Sequence, residues 1–189
     1  MPLLTPRLTL RFFTPEDFQP LRRLDSDPQV LRYRSRSIIS PEETQTFLEQ
    51  AQSALQDSPR RLYAYAVTRR TDGIFLGQCG MTATTSEAKE CFLWYSLLRE
   101  HWGQAYMPEA VGALVWMGFT HFALQCIFAE SHPDNHASIR VMEKVGLQNL
   151  GSFWIPDSQR KPRLRVRYRL MADEYAPKKI DGIEILPPV

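Results

Sequence analysis

Between Thr5 and Phe13 apolar and polar side chains alternate, with Leu8, Leu10 and Phe12 on one face and Arg7, Thr9 and Arg11 on the other, the period of a half-buried strand. Phe13 breaks the alternation. Thr14-Pro15-Glu16-Asp17 then supplies a capping hydroxyl, a first-turn proline and acidic side chains, which predicts a helix ending near Asp25. Ser40-Pro41-Glu42-Glu43 repeats that chemistry, and Phe47, Ala51, Ala54 and Leu55 follow as an apolar stripe, so a second helix is predicted over about residues 41–56. Residues 62–68 and 74–82 read as strands joined by a turn in which Asp72-Gly73 offers the positive φ that a hairpin needs. A third strand of this run is predicted at residues 90–98.

Residues 108–122 are apolar on nearly every side, through Val111, Leu114, Val115, Trp116, Met117, Phe119 and Phe122. A helix with so little polar face must lie buried between layers. Gly112 and Gly118 weaken it by roughly 1 kcal/mol each relative to alanine, which points to close packing on a sheet. Residues 124–130 read as a strand, residues 135–145 as a short helix stopped at Gly146, and residues 147–155 and 164–171 as closing strands. The order implies an α+β fold with a single mixed, mostly antiparallel sheet and helices on both faces.

Composition narrows the setting. With 189 residues, 43% of them hydrophobic and 23% charged, the chain can bury one sizeable core, and residues 1–175 are read as a single domain. Residues 176–189, with Pro177, Pro187 and Pro188, are read as a surface arm. A formal net charge of +2 and a pI near 8.5 call for no polyanion, so nucleic acid is not an expected partner. Prolines and charges interrupt the first residues where a signal peptide needs an apolar run, and no stretch is long enough to span a bilayer; a cytoplasmic protein without a membrane partner is expected. Cys79, Cys91 and Cys126 are odd in number, far apart and set in apolar strands, which suits buried thiols rather than a disulfide or zinc framework. His132 and His136 are four apart, but Pro133 interrupts any helix joining them and no third ligand is near, so no metal is expected.

The stretch WGQAYMPEA, residues 102–110, separates the strand at 90–98 from the apolar helix. Its plain reading is a helix entrance, with Pro108 in the first turn, where the missing N–H has no intrahelical partner to lose. Its functional reading is an anion site. The N–H groups of Gln104, Ala105, Tyr106 and Met107 stand at the positive end of the helix dipole, and the small residues Gly103 and Ala105 let a phosphate approach. Further on, SHPDNHASIRVMEKVGL places Asn135 as the cap of a short helix and Ser138 in its first turn, roles that can also be purely structural.

Together and in this order, the two elements resemble the acyl-CoA site of the GNAT superfamily of N-acetyltransferases. The chain is similar to the branch that holds the RimJ- and RimL-type ribosomal-protein N-terminal acetyltransferases and many small-amine acetyltransferases. The likeness runs from about Thr5 to Leu170 and is carried by four stretches: TPRLTLRFFTPED; Asp27-Pro28-Gln29-Val30-Leu31-Arg32-Tyr33; WGQAYMPEA; and the helix with Pro133, Asn135, Ala137, Ser138, Arg140, Val141, Glu143, Lys144 and Gly146. It implies that acetyl-CoA, the co-substrate, lies in a V-shaped gap between two splayed parallel strands, here residues 90–98 and 124–130. The pantetheine arm would pair with backbone at Leu97 and Leu98, and the pyrophosphate would rest on Gly103, Gln104, Ala105, Tyr106 and Met107. Asn135 would orient the arm from the opposite side, and Ser138 would face the thioester sulfur as the catalytic donor. Ala105, Met107 and Pro108 depart from the glycine, the small residue and the N–H-bearing residue usual in that loop. Phe92 and Trp94 stand where the branch often has an acidic residue and a glycine.

The implied reaction is direct attack of a neutral primary amine on the thioester in a ternary complex, the amine being a protein N-terminus or a small molecule. An α-amine, with a reference pKa of about 7.7–8.0 against about 10.4 for lysine, needs no strongly perturbed base. Glu90, Glu130, Asp134 and Asp157 are candidate bases, each equally readable as a surface carboxylate. Arg163, Arg165, Arg167 and Arg169 alternate with Leu164, Val166, Tyr168 and Leu170, giving either a solvent-facing strand or a platform for an acidic substrate, RNA or the CoA phosphates. That row and the altered loop support a rival reading, a GNAT-fold module that has lost catalysis and binds RNA or protein. A longer acyl-CoA is a third possibility, and a monomer and a homodimer fit equally.

Overall fold

The computed structural model describes residues 1–34, 38–84, 89–156, 162–176 and 182–185. Strands β1 (Leu3–Leu4), β2 (Leu8–Arg11), β3 (Leu62–Arg69), β4 (Phe75–Ala83), β5 (Glu90–Leu97), β6 (Cys126–Ser131), β7 (Gln148–Ile155), β8 (Arg163–Met171) and β9 (Glu184–Ile185) form one sheet in the order β7-β8-β6-β5-β4-β3-β2-β1-β9. The β5–β6 pair is parallel and its neighbours are antiparallel. Helices α1 (Phe18–Ser26), α2 (Pro28–Leu31) and α3 (Pro41–Ser53) belong to one side, and α4 (Tyr106–Thr120) and α5 (His136–Lys144) to the other.

Two hydrophobic layers follow from this arrangement. Leu8 and Leu10 are fully buried with Tyr65, Met81, Leu93 and Ile127 beneath α4, while Leu21, Leu24 and Leu48 of α1 and α3 pack with Ala64 and Ala66. The break in alternation at Phe13 has a physical meaning: Phe12 packs on the first layer and Phe13 joins the second. Just beyond it the buried Asp17 accepts from Arg11 Nη1 and Nη2 at 2.6 and 2.7 Å and from the Thr14 N–H at 2.9 Å, which pins the start of α1 to β2. Ser40 and Glu43 close a capping box at the head of α3, with bonds of 2.9 and 3.2 Å between each backbone N–H and the other's side chain.

The structure departs from the sequence pattern at short elements. α2, capped by the Asp27 carboxylate, is too brief for a helical period to register. β1 returns against β2 with Leu3 opposite Leu10, and β9, inside the segment read as a surface arm, lies beside β1 with Ile185 opposite Leu3. The three cysteines are free and buried. Among the described residues no helix is long and apolar enough to cross a membrane.

α4 lies tightly on the sheet. A Cβ built on Gly118 would meet Ile127 Cδ1 at 3.0 Å, Leu124 Cδ1 at 3.1 Å and Met81 Cε at 3.3 Å. Gly118→Leu therefore overfills this contact and is expected to cost about 1–3 kcal/mol, read as a lower urea midpoint with an unchanged slope.

Candidate functional site

β5 and β6 run side by side at only three register positions, Glu90↔Cys126, Cys91↔Ile127 and Phe92↔Phe128. Beyond these β5 stays with β4 as far as Gly77↔Leu97, and β6 stays with β8 as far as Ser131↔Val166, so the parallel strands part. Their facing backbone edges no longer serve each other, and polar backbone groups need partners. The N–H of Leu98 donates to Leu76 O at 2.8 Å and its carbonyl accepts from His101 N–H at 3.0 Å, so Leu98 is taken up within the chain. Successive backbone N–H groups in a strand point to opposite sides, which turns the N–H of Leu97 away from β4 and toward the gap. The Leu97 carbonyl accepts from Trp102 Nε1 at 2.8 Å.

The loop leaving β5 holds Gly103 at φ +78° and Ala105 at φ 58°, both left-handed, before α4 starts at Tyr106. Arg7 organises this loop from β2's end of the chain. Its Nη1 and Nη2 donate to the carbonyls of Gln104 and Ala105 at 3.0 and 3.2 Å, and its Nε pairs with Glu109 Oε2 at 2.6 Å. Glu109 also accepts from the Arg7 N–H at 2.9 Å and the Thr5 hydroxyl at 2.6 Å. In a trans peptide the N–H points opposite to the carbonyl, so the N–H groups of Ala105 and Tyr106 are aimed away from Arg7. Gly103 has open space where a Cβ would stand. The Met107 side chain is buried in the core beneath α4, so only its backbone belongs to the loop.

Across the gap, Asn135 caps α5: its Oδ1 accepts from the Ser138 N–H at 3.2 Å, which leaves its Nδ2 outside the cap. Tyr95 on β5 donates to the Ser138 carbonyl at 3.0 Å, and its hydroxyl lies 2.9 Å from Ser138 Oγ. Burial pushes the Tyr95 phenol up to about 12, partly opposed by the Ser138 hydrogen bond, so it is un-ionised at neutral pH.

A cavity of about 840 Å³ reaches from Asn135, Ser138 and Tyr95 to the α1 and α3 side of the sheet. Tyr33, Phe47, Phe92 and Trp94 give that end an aromatic wall. Trp94 Nε1 donates to Thr82 Oγ1 at 3.1 Å, and a Cβ on Gly80 would stand 2.2 Å from Trp94 Cζ2, so the indole occupies space that only glycine leaves open. Two polar side chains at this end, Asp25 and Gln78, are nearly fully buried. The Thr44 hydroxyl donates to Asp25 Oδ2 at 2.9 Å, while Arg34 Nη1 stands 3.9 Å from Oδ1 and Arg34 Nη2 donates to Ser96 Oγ. Burial raises the Asp25 carboxyl above the usual carboxylate range, with Thr44 and Arg34 opposing. Its folded pKa thus exceeds the unfolded one; between the two the native state holds the extra proton, and this group's contribution to stability falls as pH rises through that window.

Residues 7–148 match the acetyltransferase (GNAT) domain. The chain belongs to the GNAT acetyltransferase family. An N-acetyltransferase p20 of Bacillus licheniformis, whose own role is uncharacterised, is 32% identical over 156 residues, 79% of this chain and 83% of that protein. A ribosomal-protein-S5-alanine acetyltransferase from Vibrio fischeri superposes with a TM-score of 0.74 at 16% identity, covering 94% of this chain and 100% of that one. A spermidine N-acetyltransferase from Vibrio cholerae, solved with CoA and spermine, gives a TM-score of 0.74 at 15% identity, covering 88% and 96%. Proteins named for different amines thus share the fold equally with this acetyltransferase, and fold alone does not choose the acceptor.

Of the carboxylates singled out as bases, Glu130 lines the cavity, where its Oε1 accepts from Arg167 Nε and Nη2 at 2.9 and 2.6 Å. Glu90 lies at the closed end of the strand pair and is exposed, Asp134 is exposed beside His132, and Asp157 lies outside the described residues. The arginine row is neither bare nor a simple platform. Arg163 and Arg165 donate to the carbonyls of Arg34 and Tyr33 at 2.6 and 3.3 Å, holding that segment beside the cavity. Arg7, Asp25, Gln78 and Tyr95 escaped the sequence reading. Gln78 alone left a signal, as a long polar residue inside the apolar run of β4.

Ala105 bears the strain of its left-handed conformation because it has a Cβ. Ala105→Gly is expected to raise stability by about 0.5–1 kcal/mol, seen as a higher midpoint in thermal unfolding.

Proposed function

We propose that this acetyltransferase transfers an acetyl group from acetyl-CoA to a primary amine, a protein N-terminus or a small molecule, by direct attack in a ternary complex in the cytoplasm. The parting of β5 and β6 directly beside Ser138 carries the proposal. The residues fit the co-substrate. Leu97 offers an inward N–H for the pantetheine arm, Asn135 Nδ2 a donor from the facing side, and the N–H groups of Ala105 and Tyr106 a cradle for the pyrophosphate with Gly103, Gln104 and Met107 beside it. Leu98 contributes by position rather than by free hydrogen-bonding groups. The motifs shared with the RimJ and RimL type keep a protein N-terminus among the acceptors.

Bound acetyl-CoA supplies an acyl group activated by its sulfur. The chain's part is to hold amine and thioester in register, a contribution worth roughly 7–11 kcal/mol of barrier when orientation is good. Ser138 donates a hydrogen bond to the departing thiolate, and Tyr95, with its single proton turned from the Ser138 carbonyl to Ser138 Oγ 2.9 Å away, sets the direction of that hydroxyl. Arg163, Arg165 and Arg167 are engaged locally, which weakens one support of the rival RNA- or protein-binding module and leaves it the altered loop at Ala105, Met107 and Pro108.

A hydrogen bond to a charged group is worth about 1.5–3 kcal/mol, so Ser138→Ala should slow turnover roughly 10- to 150-fold while calorimetry shows acetyl-CoA binding retained. Normal turnover would remove Ser138 from the mechanism. Tyr95→Phe should have a smaller effect, and the double variant should be no slower than Ser138→Ala, because both act through one hydroxyl. Absence of acetyl-CoA binding to the wild type at millimolar concentration, with salt-sensitive RNA binding, would favour the module.

A further inference from the structure

Two residues that line the cavity, Gln78 and Asp25, each keep a buried acceptor atom without a hydrogen bond. Gln78 is 5% exposed and Asp25 is 4% exposed, and among the described residues neither Gln78 Oε1 nor Asp25 Oδ1 receives a hydrogen bond. They reach the cavity from different elements. Gln78 comes from the middle of β4, opposite Ser96 of β5, and Asp25 from the last turn of α1, where Thr44 holds its other oxygen at 2.9 Å. Arg34 Nη1 stands 3.9 Å from Asp25 Oδ1, an ion pair beyond hydrogen-bond distance, while Arg34 Nη2 is committed to Ser96 Oγ and Trp94 Nε1 to Thr82 Oγ1. A buried acceptor without a hydrogen bond destabilises the free protein, and a ligand that brings a donor to it regains that cost on binding.

What surrounds these atoms defines the ligand's body. Phe47, Phe92 and Trp94 line the same end of the cavity, with Phe47 edge-on to Trp94 at 5.9 Å between ring centroids. We infer that Asp25 and Gln78 form the acceptor subsite, receiving N–H bonds from a primary amine whose flat apolar body rests among Phe47, Phe92 and Trp94; an arylalkylamine is the simplest molecule of that class. A primary amine can donate to both acceptors at once, whereas an alcohol has a single donor, so the subsite also selects nitrogen over oxygen. The inference rests on the acetyl-transfer reading above. The entering ammonium releases one proton through Asp25 to solvent. Its nitrogen then forms the C–N bond as the C–S bond breaks, and a second nitrogen proton ends on the thiol by way of Ser138.

The test uses the full chain with acetyl-CoA and measures CoA release with phenethylamine, phenethyl alcohol, N,N-dimethylphenethylamine and 1,4-diaminobutane. Phenethylamine should have the highest kcat/KM, and the alcohol and the tertiary amine should not react. Gln78→Met and Asp25→Asn should each lower kcat/KM for phenethylamine about 10-fold or more through the amine KM, with the acetyl-CoA KM unchanged. Gln78→Met should not lower Tm, because it removes a buried acceptor that the free protein leaves unpaired. An unchanged amine KM in both variants overturns the inference, as does a preference for 1,4-diaminobutane. A lowered Tm for Gln78→Met with unchanged amine KM would assign it a structural role instead. Acetyl-CoA binding with transfer only to other amines overturns the subsite alone, whereas no acetyl-CoA binding overturns the acetyl-transfer reading.

Discussion

The structure depends on the brevity of one parallel pairing. β5 and β6 share three register positions and then each follows its antiparallel neighbour, so the sheet splits along its middle. A parallel pair requires a crossover, and here that crossover is α4, the most apolar helix of the chain, buried beneath the sheet. Because both strands run the same way, the helices that follow them begin at the same end of the split. The entrance of α4 and the cap of α5 therefore converge on the gap, bringing Ala105 and Tyr106 to one lip and Asn135 and Ser138 to the other.

The sequence was legible where physics is local. Thr14 and Ser40 announced helix starts, Asp72-Gly73 announced a turn, and the all-round apolar segment after Pro108 announced a buried helix; each depends on neighbours within a few residues. It was opaque where partners are distant or elements are brief. β1, β9 and α2 are too short to show a period. The pairing of Asp25 with Thr44, and the reach of Arg165 to Tyr33 across 132 positions, cannot be seen before the chain folds. The arginine row shows the difference well: its alternation correctly gave a strand, but what its side chains hold was decided elsewhere.

Phe92 and Trp94 put two large aromatic rings on the cavity wall, and the neighbouring strand makes room for the larger one. Trp94 fits because Gly80 on the adjoining strand leaves room for the indole and Thr82 receives its N–H. Gly80, Thr82 and Trp94 form one unit, since a side chain at Gly80 would displace the indole from the cavity wall. An aromatic end to the cavity is thus built into two strands at once.

Arg7 gives the loop WGQAYMPEA a dependence that its own nine letters do not contain. The guanidinium turns the carbonyls of Gln104 and Ala105 to one side from 97 and 98 positions away in the chain. A contact of such separation carries the closure entropy of the whole intervening chain. The loop that would cradle a pyrophosphate is therefore a tertiary rather than a local feature: α4 can supply the helix end, but without β2 docked beside it no guanidinium aims the amides.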